Sequence, residues 1–444
     1  MTQTKILVLD DDPTGSQTVH SCLLLTRWDV ETLKQGLTDA SPLVFILTNT
    51  RGMDADRAAA VTREVCVGLR QAMTELEGQG MLFHPLLVSR SDSTLRGHYP
   101  VETDVIAEEL GPFDAHFLVP AFLEAGRFTR DSVHYLFQDG RALPVHETEF
   151  ARDSVFGYRH SYLPDYVEEK TRGRIRADAV KRFQRHGVRE GDLVGDLRQL
   201  RGNACCVVDA ELPADLDRFA AAVLSAAGQG KRFLFRSAAS LLTALGRLPP
   251  QPVAAEAMGA YVRGGRPGAV VVGSHVGKTS RQLERLLLEA GTLAIEVDVE
   301  RISNNRPALL QATLAAAAQA HAVGKTPVIY TSRKERLFPD QQTRLAFGEQ
   351  VSALLMDVVR GLPASIGYLI SKGGITSNDV LAEALALRAS RVLGQILTGC
   401  SVVRCPSDHP RFPDLPVVIF PGNVGDDQAL AEVYRRLDAG GGRS

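Results

Sequence analysis

The chain has 444 residues, of which 44% are hydrophobic and 23% charged, and its formal net charge is -2. That length exceeds the usual single hydrophobic core and favours two domains, while the near-balanced charge gives no electrostatic basis for a nucleic-acid partner. No apolar run approaches the ~20 residues of a membrane span, and the opening "MTQTKILVLDDD" lacks the basic start and long apolar core of a secretory signal, so a cytoplasmic protein with no membrane partner is expected.

In chain order, strand-like runs appear at "KILVL", "LVFILT", "PLLVS", "HFLVP", "CCVVD" and "RFLFR", then at "AVVVG", "LAIEV", "PVIYT", "GYLIS" and "PVVIF". Helical patterns such as "ADRAAAVTREVCVGLRQAM" and "NDVLAEALALRAS" lie between many of them. Continuous apolar strands alternating with helices predict an α/β fold, with two domains that each carry a mainly parallel sheet flanked by helices. The proline-rich "GRLPPQPVAAEAM" at 246–258 reads as a linker, which divides the chain into domains at 1–248 and 253–444. Residues 124–180 are polar, rich in Arg, His and Tyr and weakly periodic, and read either as a flap beside a site or as a plain surface excursion. The cysteines (Cys22, Cys66, Cys205, Cys206, Cys400, Cys405) show no C-x-x-C spacing, and the histidines form no H-x-x-x-H pair. Buried thiols and no dedicated metal site are therefore expected, and the metal ligands, if any, are left unassigned.

In open α/β sheets the loops after the strands carry the ligand chemistry. After "KILVL" comes "DDDPTG", three adjacent carboxylates that repel one another unless a cation or a shared proton offsets them. They read as a general base or a metal-binding group, or as a solvated acidic turn. After "LVFILT" come Asn49 and Arg51, and after "PLLVS" comes "RSDSTLRG" with Arg90, Asp92, Ser93, Thr94 and Arg96. Arginines, hydroxyls and one acid in a short stretch suit a small polyhydroxylated carboxylate. A helix start capped by Ser91 or Ser93 is the plainer alternative.

The second half offers backbone instead of side chains. "AVVVGSHVGKTS" imitates a P-loop, but only three residues separate Gly273 from the Gly277-Lys278 pair, and the P-loop needs four. What remains is a strand, a glycine turn and a helix N-terminus suited to an anion. "SKGGITSNDV" and "FPGNVGDD" add two more glycine-containing strand ends. Three such loops together point to a nucleotide, since glycine lets backbone N–H groups approach phosphate. No strand is followed by G-x-G-x-x-G, which argues against a dehydrogenase.

Taken in order, "DDPTG", "SDSTLRG", "PAFLEAGR", "GSHVGKTSRQL", "KGGITSNDV" and "PGNVGD" resemble the four-carbon acid sugar kinase family over nearly the whole chain. The resemblance implies a sugar-acid-binding N-terminal domain (1–248) and a nucleotide-binding C-terminal domain (253–444). The implied activity is ATP-dependent phosphorylation of a threonate, erythronate or 3-oxo-tetronate type of acid. ATP and Mg²⁺ are the implied cofactors, the sugar acid and ATP the implied partners, and a homodimer an open expectation. Carried over by position, the catalytic candidates are Asp11, Asp12 and Asp92. The implied substrate-binding residues are Arg51, Asp92, Ser93, Thr94, Leu95 and Arg96. The implied nucleotide contacts are Ser274, Gly373, Gly374, Ile375, Thr376, Gly422, Asn423 and Gly425. Departures from the commoner family pattern fall on the substrate side, at Pro13, at "GSQTVH", and at the Ser89-Arg90 pair. A non-catalytic sensor of a sugar acid and a nucleotide is the rival reading; it would need no general base.

Overall fold

The structure, a computed structural model, describes residues 3–138, 140–274, 276–333 and 340–438. His275, part of the "GSHVGKTSRQL" motif, lies outside the described residues. The chain divides into two compact units, Met1–Pro249 and Pro250–Ser444.

The first unit contains β1 (Gln3–Asp10), β2 (Leu23–Leu25), β3 (Leu43–Leu47), β4 (Phe83–Arg90) and β5 (Ala115–Val119). A hairpin pair follows as β6 (Arg127–Arg130), β7 (Val133–Gln138) and β8 (Arg141–Pro144), then β9 (Lys181–Phe183), β10 (Ala204–Val208) and β11 (Phe233–Ser237). Its main sheet runs β2-β3-β1-β4-β11-β5-β10-β9, with every pairing parallel. β3, β5 and β11 are buried along their whole length, which is why they read as unbroken apolar runs rather than alternating ones. Phe117 of β5 packs on Phe183, Phe219, Phe233 and Phe235 with ring centroids 5.8, 5.3, 5.5 and 5.4 Å away.

The helix Ala55–Glu77 shows how local sequence serves this packing. Asp54 caps it by accepting from the Arg57 N–H at 2.8 Å. Ala58, Val61, Val65, Leu69, Ala72 and Leu76 follow at helical spacing and are all buried. Burying each of the larger ones contributes about 1.5–3 kcal/mol.

The second unit contains β12 (Ala269–Val272), β13 (Thr292–Val297), β14 (Thr326–Thr331) and β15 (Leu369–Lys372). β16 (Ala389–Leu397), β17 (Cys400–Arg404) and β18 (Pro416–Phe420) complete it. The order is β13-β14-β12-β15-β18-β17-β16, parallel through β18, with β17 and β16 antiparallel at the end. Val270, Val272, Ile370, Val418 and Phe420 meet Leu283 and Leu286 of the helix Gly277–Leu286 in one core cluster. One expectation fails here. "NDVLAEALALRAS" is not a single helix, because the α-helix Gly374–Asp379 passes into one π-turn at Val380–Ala384 and β16 begins at Ala389. All six cysteines are free and buried, and no helix among the described residues is long and apolar enough to cross a membrane.

Candidate active site

In the first unit β1 lies between β3 and β4, so consecutive strands depart to opposite sides of it. A crevice opens outside the carboxyl ends of strands at such a reversal. The loops after β1, β3, β4 and β11 all end there.

The three acids are not a solvated turn. Asp10 and Asp11 are buried, and the Asp12 side chain is 22% exposed. Arg51 serves two of them. It donates from Nη2 and Nε to Asp11, the latter at 3.2 Å, and from Nη1 to Asp12 at 3.2 Å. Burial alone would raise the Asp12 carboxyl, but Arg51 and the hydrogen bonds from Thr14 hold it below the ordinary range. Asp10 differs. Burial pushes its carboxyl up to about 8, Arg90 at 3.5 Å offsets only part of that, and Oδ2 has no hydrogen-bond partner among the described residues. Only glycine fits beside it, since a Cβ on Gly15 would lie 1.9 Å from Asp10 Oδ2.

The "SDSTLRG" segment after β4 is a turn, not a capped helix start: the next helix begins at Val101, and neither Ser91 nor Ser93 caps it. Ser91 Oγ donates to Asp11 Oδ2 at 2.6 Å and accepts from Arg236 Nη2 at 2.6 Å. Arg96 Nε donates to Asp92 Oδ2 at 2.7 Å, Arg96 Nη1 stands 3.6 Å from Asp153, and the guanidinium lies 4.9 Å from the centre of the Phe150 ring. Burial would raise the Asp92 carboxyl, yet Arg51, Arg96 and the Thr94 hydroxyl hold it well below the usual carboxylate range. Leu95 takes a positive φ of 67°, and Gly97 one of 115°. A Cβ on Gly97 would also stand 2.4 Å from Ser91 Oγ and 2.6 Å from Arg236 Nη2. Ser91, Asp92, Leu95, Arg96, Tyr166 and Arg236 help line a partly open cleft.

Residues 124–180 prove to be the mould of this turn. His134 of β7 bonds Ser93 O at 2.8 Å, Tyr158 donates to Thr94 O at 2.7 Å, and Tyr166 donates to Leu95 O at 2.8 Å. Three consecutive carbonyls are thus held by buried side chains. Burial lowers the His134 imidazole to about 4, so it holds the turn as a neutral ring. Arg236 and Ser237, at the end of β11, escaped the sequence reading. β11 lies beside β4 in the sheet although Ser91 and Ser237 are 146 positions apart in the chain, and adjacency of that kind has no local signature. The rule that strand ends carry ligands would nevertheless have marked "RFLFRS" as it marked "PLLVS".

In the second unit the reversal falls at β12, flanked by β14 and β15. Ser274, Gly373 and Thr376 converge. A Cβ on Gly273 would meet Thr376 Oγ1 at 2.3 Å, and one on Gly373 would meet Thr376 Oγ1 at 3.2 Å and the Ser274 Cβ at 3.3 Å. Gly373 has a φ of 118°, Gly374 opens the helix Gly374–Asp379 with open space where a Cβ would stand, and Ile375 beside it is 76% exposed. The Gly422–Gly425 stretch follows the neighbouring β18, and Thr279 Oγ1 approaches Gly422 O at 3.5 Å. Lys278, the lysine of the P-loop imitation, donates to Asn423 O at 3.3 Å. Among the described residues no group of three or more His, Cys, Asp or Glu side chains is arranged to hold a metal ion. Asp11 and Asp12 are instead paired with Arg51.

Two α/β units, each gathering its loops where the strand order reverses, define the class of open-sheet ligand-binding proteins. Residues 6–245 match the model of a sugar-binding N-terminal domain, and residues 269–430 that of a nucleotide-binding C-terminal domain. The chain belongs to the four-carbon acid sugar kinase family. A D-erythronate kinase of Heliobacterium modesticaldum is 23% identical over 96% of this chain and 95% of its own length. A D-threonate kinase of Bordetella bronchiseptica is 29% identical over 35% of this chain and 37% of its own. The fold is shared with a Salmonella typhimurium LT2 protein provisionally called a tRNA synthase, at TM-score 0.73 and 18% identity, covering 98% of this chain and 100% of that one. It is also shared with Haemophilus influenzae protein HI1011, at TM-score 0.63 and 18% identity over 97% and 100%.

Proposed function

We propose that the protein is an ATP-dependent kinase that phosphorylates a hydroxyl of a four-carbon sugar acid. The observation that carries this reading is the cleft lined by Ser91, Asp92, Arg96 and Arg236, which offers hydroxyl, carboxylate and guanidinium groups at the strand ends of a sugar-binding unit. Its relatives named D-erythronate kinase and D-threonate kinase support the four-carbon acid as the substrate class.

Phosphoryl transfer asks a protein mainly for alignment and for neutralisation of charge. Asp92 stays ionised at any working pH, so it accepts a hydrogen bond from the acceptor hydroxyl and aims it. Asp11 and Asp12, already bridged by Arg51, fix that guanidinium beside the turn. Arg96 then meets the acid's carboxylate along the cleft wall. Ser274, Gly373 through Thr376, Gly422, Asn423 and Gly425 receive the phosphates of ATP through backbone N–H groups and short side chains. Mg²⁺ fits this scheme as an ion carried by the nucleotide, because it keeps several waters and needs few protein ligands; bound there, it supplies charge neutralisation to the phosphates.

The test is a screen of four-carbon sugar acids for ATP-dependent release of ADP. Stoichiometric ADP and phosphorylated acid are expected for at least one tetronate. Tight binding of an acid and of ATP without turnover would make the protein a sensor instead.

A further inference from the structure

The loop that follows β18 has most of its carbonyls taken. Lys372 Nζ donates to Pro421 O at 2.5 Å and to Gly422 O at 3.0 Å. Lys278 takes Asn423 O, and Gln282 Nε2 takes Val424 O at 2.9 Å and Asp426 O at 2.7 Å. By contrast, the N–H groups of Gly422, Asn423, Val424 and Gly425 have no hydrogen-bond partner among the described residues. A loop with most of its acceptors engaged by side chains and its donors left open presents those donors to a ligand. This polarity suits an anion and repels a cation.

Lys372 is an expensive way to achieve it. Its side chain is fully buried, its ammonium lies 4.3 Å from the centre of the Phe420 ring, and no carboxylate among the described residues pairs with it. Burial pulls it down to about 7, with Lys278 adding to the fall and Cys400 opposing it. A packed apolar side chain would cost less at this position, but it would leave two carbonyls unmet. Gln282 is likewise fully buried on the helix Gly277–Leu286, and its Oε1 has no partner among the described residues. Its amide is therefore retained for the two bonds it gives.

We infer that Lys372 and Gln282 are positioning residues that hold the Pro421–Asp426 loop with its carbonyls turned inward, so that its free amides meet the phosphates of a nucleotide. The inference rests on the nucleotide reading of this unit. Neither residue touches the ligand; each acts through the loop.

The test measures ATP binding to the full chain by titration calorimetry, and steady-state KM values for ATP and for the acid, in wild type, Lys372→Met and Gln282→Met. Both variants should weaken ATP binding about tenfold or more and raise KM for ATP, while KM for the acid changes less than twofold and circular dichroism matches wild type. A folded variant that binds ATP as wild type does would overturn the positioning role. Loss of both ligands together would make the contacts merely structural and overturn it as well. Amide hydrogen exchange on wild type needs no variant: ATP should protect the amides of residues 422–425, and their continued fast exchange in the complex would refute the inference. If wild type binds no ATP at all, the nucleotide reading itself falls. That result is distinct from wild-type binding with unaffected variants.

Discussion

Asp10 and Arg96 show at single-residue scale how the site's electrostatics were built. In an unfolded chain the Asp10 carboxyl titrates near 3.8, and in the folded protein near 8. Between those values the folded state holds a proton that the unfolded state has released, so stability falls as pH rises from about 4 to about 8. Asp10→Asn keeps the shape without the charge. Its melting midpoint should equal the wild type's near pH 4 and exceed it increasingly toward pH 8; parallel curves across that range would place the titration elsewhere. Arg96 belongs to the other kind, a charge kept and shared. Arg96→Ala should raise KM for the acid by ~10-fold or more with ATP affinity nearly intact. Arg96→Lys should also be impaired, because an ammonium cannot grip Asp92 and a substrate carboxylate as a planar fork does. Wild-type kinetics for Arg96→Ala would reduce Arg96 to a partner of Asp92 and Asp153.

Among the elements, the strand end followed by a glycine turn is the recurring device, and Gly374 is its cleanest test. A Cβ there meets nothing within 4 Å, so Gly374→Val should fold and keep its acid binding while ATP affinity drops about tenfold or more. Unchanged ATP binding would remove this turn from the site. The strands themselves were legible because a covered parallel sheet writes continuous apolar runs, and every run quoted from the sequence overlaps a strand. β2 and β9 are three residues long and leave no pattern to read. β16, of which only Ala389 and Ser390 fell in the helical reading, was otherwise missed because two register shifts, at Val392/Gly394 and Gln395/Leu397, break the alternation that marks an antiparallel strand. The 124–180 segment was opaque for a different reason. His134, Tyr158 and Tyr166 point at carbonyls of the turn after β4, and polar side chains buried for backbone contacts have no periodicity. The motif residues from Asp92 to Arg96 could be found by inventory; what shapes them could not.

For the whole molecule, the division at Pro249–Pro250 gives two units with a family match in each. If each unit holds its own ligand, the two ligands should stabilise different parts of the heat-denaturation curve. A ligand at a hundred times its dissociation constant adds about 2.7 kcal/mol to whatever part binds it. Scanning calorimetry with ATP alone and with the acid alone should shift separate components, and a single transition moved equally by both would show that the units unfold as one. The buried thiols supply a chemical clock for the same event. Burial raises Cys66, Cys205 and Cys405 to about 12 and the thiols of Cys206 and Cys400 higher still, so none of these is a thiolate in the native protein. Alkylating reagents will therefore find them only as their surroundings open. Cys22, Cys66, Cys205 and Cys206 belong to the first unit and Cys400 and Cys405 to the second, so a mass spectrum of partly labelled chains carries a time-stamped record of which half came apart first.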